Sequence, residues 1–245
     1  MSDTVNGIPN PNDEKISPCH AAYYATDPSQ YCELVKLSYS PEVAVLPQYT
    51  KTVFDCACLY GNTSLALMYG WNFNRSVEYW KKGNPLTEDD KKATLLGHRI
   101  HIIGLDGSAT AVEYSKNMNI IDEGIVQNFE HDMSPETKAG LEKSDVWVMQ
   151  QCLSYMPLEN LKIWLTAFLS DRSRPKRFIY DFNPYFDTRD MAPKMILEGF
   201  SDWEISMQKF YAYRQKTDEE YATSQENGRD MCVHHYVVDF AAIQP

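Results

Sequence analysis

The 245-residue chain has no hydrophobic run approaching the roughly 18 residues that a membrane span requires. Its first sixteen residues are polar and rich in Asn, Asp and Pro, with no basic-then-apolar leader, so a cytoplasmic protein is expected. Positive charge is scarce as well: 23 Lys and Arg stand against 34 Asp and Glu, a formal net charge of −11. A surface of that sign repels nucleic-acid phosphate and anionic lipid. The expectation is therefore no nucleic acid and no membrane as partner, but a small molecule, cationic if anything. Cysteines at 19, 32, 56, 58, 152 and 232 show no repeated spacing, which excludes a disulfide framework. Cys56-Ala57-Cys58 is one residue too tight for a C-x-x-C zinc or redox motif. No metal is expected, and the thiols are read as small buried hydrophobes.

What is present is the composition of an ordinary globular protein, 43% hydrophobic and 23% charged, long enough for one large domain or a core with a small cap. Residues 17–36, with Tyr23, Tyr24, Tyr31, Leu34 and Val35 at three- and four-residue steps, are expected to form a helical cap. Strands are expected at 51–55, 99–106, 124–129, 145–149 and 177–182. Helices are expected at 62–69 and 109–117, and a further one opens at Pro157 with Leu161, Trp164, Leu165, Phe168 and Leu169 on its apolar face. Residues 71–97 read as a polar insertion in which Thr87-Glu88-Asp89-Asp90 starts a helix over 91–96. Strand and helix alternate five times, the pattern of an α/β protein with a mostly parallel sheet and helices on both faces. The tail departs from it: 203–211 and 232–241 read as consecutive strands around a charged loop, an antiparallel pair at one edge.

Two acidic residues carry most of the functional information. Lys51-Thr52-Val53-Phe54-Asp55 enters Cys56-Ala57-Cys58-Leu59-Tyr60-Gly61 and a helix. Arg99-Ile100-His101-Ile102-Ile103-Gly104-Leu105-Asp106 enters Gly107-Ser108 and a second helix. A strand, a turn of small residues, a helix, then a second strand tipped by a carboxylate is how an open α/β sheet holds a nucleoside. Turn N–H groups approach the ligand, while the second carboxylate accepts hydrogen bonds from adjacent ribose hydroxyls.

This order of parts resembles the class I S-adenosylmethionine-dependent methyltransferase fold, over roughly residues 47–245. The resemblance implies a Rossmann-like sheet of seven strands ending in an antiparallel hairpin, preceded by a tail and helical cap over 1–46. The first loop of that family runs acidic-x-Gly-x-Gly-x-Gly. Here Ala57 and Leu59 stand where two glycines are expected, which leaves the backbone less free. The loop is similar instead to a branch reading Asp-Leu-Cys-Cys-Ser-Tyr-Gly, and Asp181-Phe182-Asn183-Pro184-Tyr185 is similar to the aromatic-Pro-Tyr turn of that branch. Without the glycine approach at a helix start, a nicotinamide enzyme with its pyrophosphate is disfavoured. S-adenosylmethionine carries no phosphate and tolerates this turn.

By this resemblance Asp55, Cys56, Ala57 and Gly61 lie at the amino-acid portion of S-adenosylmethionine. Asp106, Gly107 and Ser108 lie at its ribose, and Asp132 at its adenine, with Asn128 and Glu130 as alternatives to Asp132. Gln150 follows the fourth strand beside the reacting sulfonium. Tyr155, Asp181 and Tyr185 are candidate catalytic groups, and Tyr23, Tyr24, Tyr31, Gln151 and Asn183 candidate substrate contacts. His234 and His235, one on each face of the last strand, read as structural.

The leading expectation is in-line transfer of a methyl group to a small-molecule acceptor, by a monomer or homodimer. The branch also resembles azetidine-2-carboxylate synthases, which close the cofactor on itself and release methylthioadenosine. A non-catalytic cofactor-binding or partner subunit is the third alternative.

Overall fold

The computed structural model describes residues 4–5, 8–9, 46–58, 60–71, 73–128, 131–150, 152–153, 156–182, 191–213 and 232–243. The expected cap at 17–36 lies outside them. The chain divides into two compact units, Met1–Asn128 and Phe129–Pro245. Apart from a two-residue antiparallel ladder between Thr4–Val5 and Ile8–Pro9, the strands are β1 (Thr52–Cys56), β2 (His101–Asp106), β3 (Glu123–Val126), β4 (Val146–Met149), β5 (Lys176–Phe182), β6 (Trp203–Tyr213) and β7 (Cys232–Ala242). They form a seven-stranded mixed sheet in the order β3-β2-β1-β4-β5-β7-β6. The α/β, Rossmann-like arrangement with a terminal antiparallel hairpin, expected from the sequence, is present.

In the first unit β1 pairs in parallel with β2, from Thr52 opposite His101 to Cys56 opposite Leu105, and β2 pairs in parallel with β3. Val53, Phe54, Ile102, Ile103 and Leu105 are all buried, as central parallel strands covered on both faces require. Helix α1 (Asn62–Tyr69) buries Thr63 through Met68 without a break, so it is a core helix with no polar face. Its C-cap Gly70 is left-handed and returns its N–H to Ala66 O at 2.8 Å.

The stretch expected as a polar insertion contains helix α2 (Phe73–Lys82), which the sequence reading missed. Tyr79 ties it down, donating its hydroxyl to Met118 O (2.7 Å) and accepting from Leu86 N (3.1 Å), while Trp80 is buried. Helix α3 (Glu88–Lys92) starts with the expected capping box between Thr87 and Asp90. It stops four residues before the expected end at 96, because Leu95 N leaves the helix to bond Met68 O at 2.7 Å. Asp122 then gathers the segment. It accepts from Lys91 Nζ (2.9 Å), Arg99 Nη2 (2.8 Å) and the Ile102 amide (2.9 Å). Helix α4 (Ala109–Asn117) follows β2.

In the second unit helix α5 (Pro135–Lys143) precedes β4 and was also missed, although Ser134 as N-cap with Pro135 behind it is a legible start signal. β5 lies parallel to β4 and antiparallel to β7, and β6 lies antiparallel to β7 over eleven residue pairs. Helix α6 (Leu158–Phe168) buries Leu161, Trp164, Leu165 and Phe168, the apolar face expected from spacing. Trp147 stacks on Phe178 (4.3 Å between centroids), Phe178 on Tyr180 (4.7 Å) and Tyr180 on Tyr236 (4.9 Å). Each such aromatic pair adds about 0.5–1.5 kcal/mol beyond area burial. Helix α7 (Met191–Gly199) was not expected and buries Ala192 and Ile196. Among the described residues, no helix is long and apolar enough to cross a membrane.

Candidate functional site

Asp55 and Asp106 stand at the carboxyl ends of adjacent parallel strands. Asp55 pairs with Gly104, so Asp106, two residues further along β2, shares its face of the sheet. Both are buried, at 1% and 4% exposure, and strand-end carboxylates kept from water are unusual enough to need a reason. Asp55 Oδ2 accepts from Ser64 Oγ in the first turn of α1 at 2.6 Å. Asp106 Oδ1 accepts from the Ser108 amide at 2.8 Å, and the Ser108 hydroxyl accepts from Ala111 N to cap α4. Ser108, expected as a cofactor contact, also caps α4 and braces Asp106.

Burial, followed by the like charge of Asp106, pushes Asp55 up from the usual 3.8 to about 7, against the hydrogen bonds from Ser64. Near neutrality Asp55 is thus divided between its neutral and anionic forms. The Cys58 thiol is pushed well up by burial and by both carboxylates, so it stays protonated. Cys56, Cys58 and Cys152 are buried, as expected for small hydrophobes.

The turn between β1 and α1 is pinned by its backbone. Cys58 N donates to Leu105 O on β2 (3.0 Å), and Gly61 N donates to Cys58 O (2.8 Å). Gly104 allows the close approach: a Cβ there would lie 2.8 Å from Cys58 Sγ. Gly61 is left-handed at φ 79°, and a Cβ on it would lie 2.3 Å from Ile120 Cγ2. Ala57 is left-handed too, at φ 60°. Alanine thus stands at one of the two expected glycine positions and still adopts the backbone that glycine would, at a cost of about 1–2 kcal/mol. Ala57→Gly should raise stability by about 0.5–1 kcal/mol, the strain relieved less the entropy glycine adds to the unfolded chain. Urea unfolding measures this, and a loss of that size would mean Ala57 carries no strain.

The other expected residues fall as follows. Gly107 is exposed, and a Cβ there would meet no protein atom within 4 Å. Gln150 is buried, and Asp132 is exposed. Asp181 is fully buried on β5, directly opposite His235 on β7, with His235 Nδ1 3.5 Å from Asp181 Oδ2. Burial pulls His235 down to about 4, so its ring is neutral at physiological pH. Tyr23, Tyr24, Tyr31, Gln151, Tyr155, Asn183 and Tyr185 lie outside the described residues.

Two residues went unread as partners of the carboxylates. Ser64 sits nine positions after Asp55, where no local pattern signals the contact. The His235–Asp181 pairing is visible only once the β5–β7 register is known.

No protein-family model matches the chain, nor does any curated protein sequence. Among solved structures it is similar to the plantazolicin methyltransferase BpumL in complex with SAH, at 12% identity and TM-score 0.46, covering 93% of this chain and 91% of that one. It is also similar to magnesium protoporphyrin IX methyltransferase (ChlM) from Synechocystis PCC 6803 with bound SAM, at 13% identity and TM-score 0.44, covering 91% and 82%. A third is the N-methyltransferase NodS from Bradyrhizobium japonicum WM9 in complex with SAH, at 10% identity and TM-score 0.47, covering 96% and 95%. At these values the fold rests on the strand order itself.

Proposed function

We propose that the chain binds S-adenosylmethionine and transfers its methyl group to a small-molecule acceptor by in-line displacement. The observation that supports this is the pair of buried carboxylates, Asp55 and Asp106, at adjacent strand ends on either side of a backbone-pinned turn. Two acceptor groups and a turn of amides suit a nucleoside whose other end is cationic, and they do not suit a phosphate. Asp106 accepts the ribose hydroxyls, held in rotamer by Ser108. Asp55 faces the positively charged amino-acid end. The sulfonium supplies an already activated methyl, so alignment and exclusion of water are what the protein must add. The proton acceptors proposed for the incoming nucleophile are Asp181, Tyr155 and Tyr185, of which Asp181 lies buried beside His235.

Incubating the purified protein with S-adenosylmethionine, alone and with a panel of small amines and acids, tests the reading. S-adenosylhomocysteine formed only with an acceptor supports it. Methylthioadenosine and a cyclic amino acid from the cofactor alone would replace it with the cyclising alternative. No cofactor binding would reject both. Asp106→Ala should weaken cofactor affinity by ~1–3 kcal/mol, about 5- to 150-fold, because buried hydroxyls lose their acceptor. Calorimetry reads this directly, and unchanged affinity would remove Asp106 from the ribose.

A further inference from the structure

Asp55 is hydrogen-bonded by a side chain from outside its own strand. Ser64 is fully buried in the first turn of α1, and its hydroxyl donates to Asp55 Oδ2 over 2.6 Å. Its backbone N–H donates to the same carboxylate. No side chain caps the start of α1, where Gly61 is the N-cap. The carboxylate arriving from β1 therefore takes that place, and the partial positive charge of the helix start favours its anionic form. We propose that Ser64 is a positioning residue: its hydroxyl fixes the Asp55 carboxylate and favours its anionic form, in which it can pair with the cationic amino-acid end of the cofactor. The inference rests on the cofactor reading above and adds to it a residue and a pH response.

The raising influences outweigh the lowering ones and bring Asp55 close to neutral pH. Burial and the Asp106 charge push Asp55 toward its neutral form, the two Ser64 donors hold it back, and the outcome lies at about 7. A small change at Ser64 therefore alters the anionic fraction at neutral pH by a large factor. Among the described residues, the titratable groups around Asp55 are Asp106 on β2 and the Cys58 thiol in the turn, with Cys56 next in the chain. α1, of sequence NTSLALMY, brings no acidic or basic side chain. Asp55 itself lies at about 7. The α-ammonium of S-adenosylhomocysteine is still largely protonated where Asp55 titrates and loses its proton only toward the alkaline end of the range.

The test compares two probes on the full chain. S-adenosylhomocysteine carries the amino-acid end without the sulfonium, and 5′-methylthioadenosine carries the nucleoside without the amino acid. Affinities are measured by calorimetry from about pH 5.5 to about pH 8.5. For the wild type, S-adenosylhomocysteine should bind more tightly as pH rises through about 7. In Ser64→Ala that midpoint should move up by about one pH unit, with about tenfold weaker binding on its acid side. Ser64→Thr should restore it, and methylthioadenosine should show neither effect. In an Asp55→Asn background both the pH response and the effect of Ser64→Ala should vanish.

Uniformly weaker binding in Ser64→Ala at an unmoved midpoint would reduce Ser64 to a packing residue and overturn the inference. An equal shift with methylthioadenosine would overturn it too. Failure of the wild type to bind either probe at any pH would instead reject the cofactor reading itself.

Discussion

Asp55→Asn should make the ligand-free protein more stable at pH 8 while it loses affinity for the cofactor. Asp55 is held at about 7 in the folded chain against an ordinary value of 3.8. Its folded value is raised, so the stability it contributes is fully present below about 3.8. It is lost as pH climbs through about 7, and it levels off above that. At ~1.4 kcal/mol per unit, the loss approaches about 4 kcal/mol. Asparagine cannot ionise, yet its carbonyl can still accept from Ser64. The variant should show no such decline, and at pH 8 it should exceed the wild type by a few kcal/mol. Urea unfolding at a series of pH values reads both curves. Parallel curves would mean that Asp55 ionises freely in the native state. Added S-adenosylmethionine should narrow the gap, since a bound cation restores the reason for the charge. A group that weakens the empty protein and strengthens the occupied one is what a binding function predicts and a merely structural cap does not.

Gly61→Ala should be the most damaging single substitution in the turn. Left-handed backbone costs a non-glycine residue about 1–2 kcal/mol. The added Cβ would also sit 2.3 Å from Ile120 Cγ2 and 3.0 Å from Ile120 Cβ. Ile120 Cβ is fixed by the backbone, and a χ1 change that moves Cγ2 must repack a buried side chain, so overpacking adds about 1–3 kcal/mol. A combined loss of about 2–5 kcal/mol is expected in urea or thermal unfolding. Ile120→Ala should remove the 2.3 Å contact with Cγ2 and leave the strain, so the double variant should lose less than the two single losses added together. Strict additivity, or a Gly61→Ala protein as stable as the wild type, would mean the turn does not approach Ile120.

The carboxylates, the turn between them and the order of the strands were legible because each is a local pattern: β-formers ending in an acid, small residues, then helical spacing. The first two parallel strands announced themselves as runs of β-formers, and the terminal hairpin as two strand-like stretches with no clear helix between them. α2 was not legible, because its tertiary anchors, Tyr79 and Trp80, lie among polar neighbours that read as a loop. Nor was the early end of α3, which depends on a backbone bond to the far end of α1. Local sequence places Asp55 well but says nothing of its ionisation. That property comes from Ser64 and Asp106, brought to it by α1 and β2. The alanine at position 57 suggested a stiffer, altered turn, whereas the backbone keeps the glycine-like path and carries the strain. Sequence could name the substitution but not which side would yield.

Asp122 shows what the segment before β2 gains from its anchoring. Burial pushes this carboxylate up, but the Ile102 amide, Lys91 and Arg99 more than offset that, and it ends below the usual range. Its folded value is depressed, so its contribution is present above the unfolded value and lost as pH falls through the folded one. Asp55 acts in the opposite sense. Acidification therefore relaxes the carboxyl end of β1 before it unfastens the latch beneath α3, and the molecule meets mild acid by giving up a charge rather than a fold.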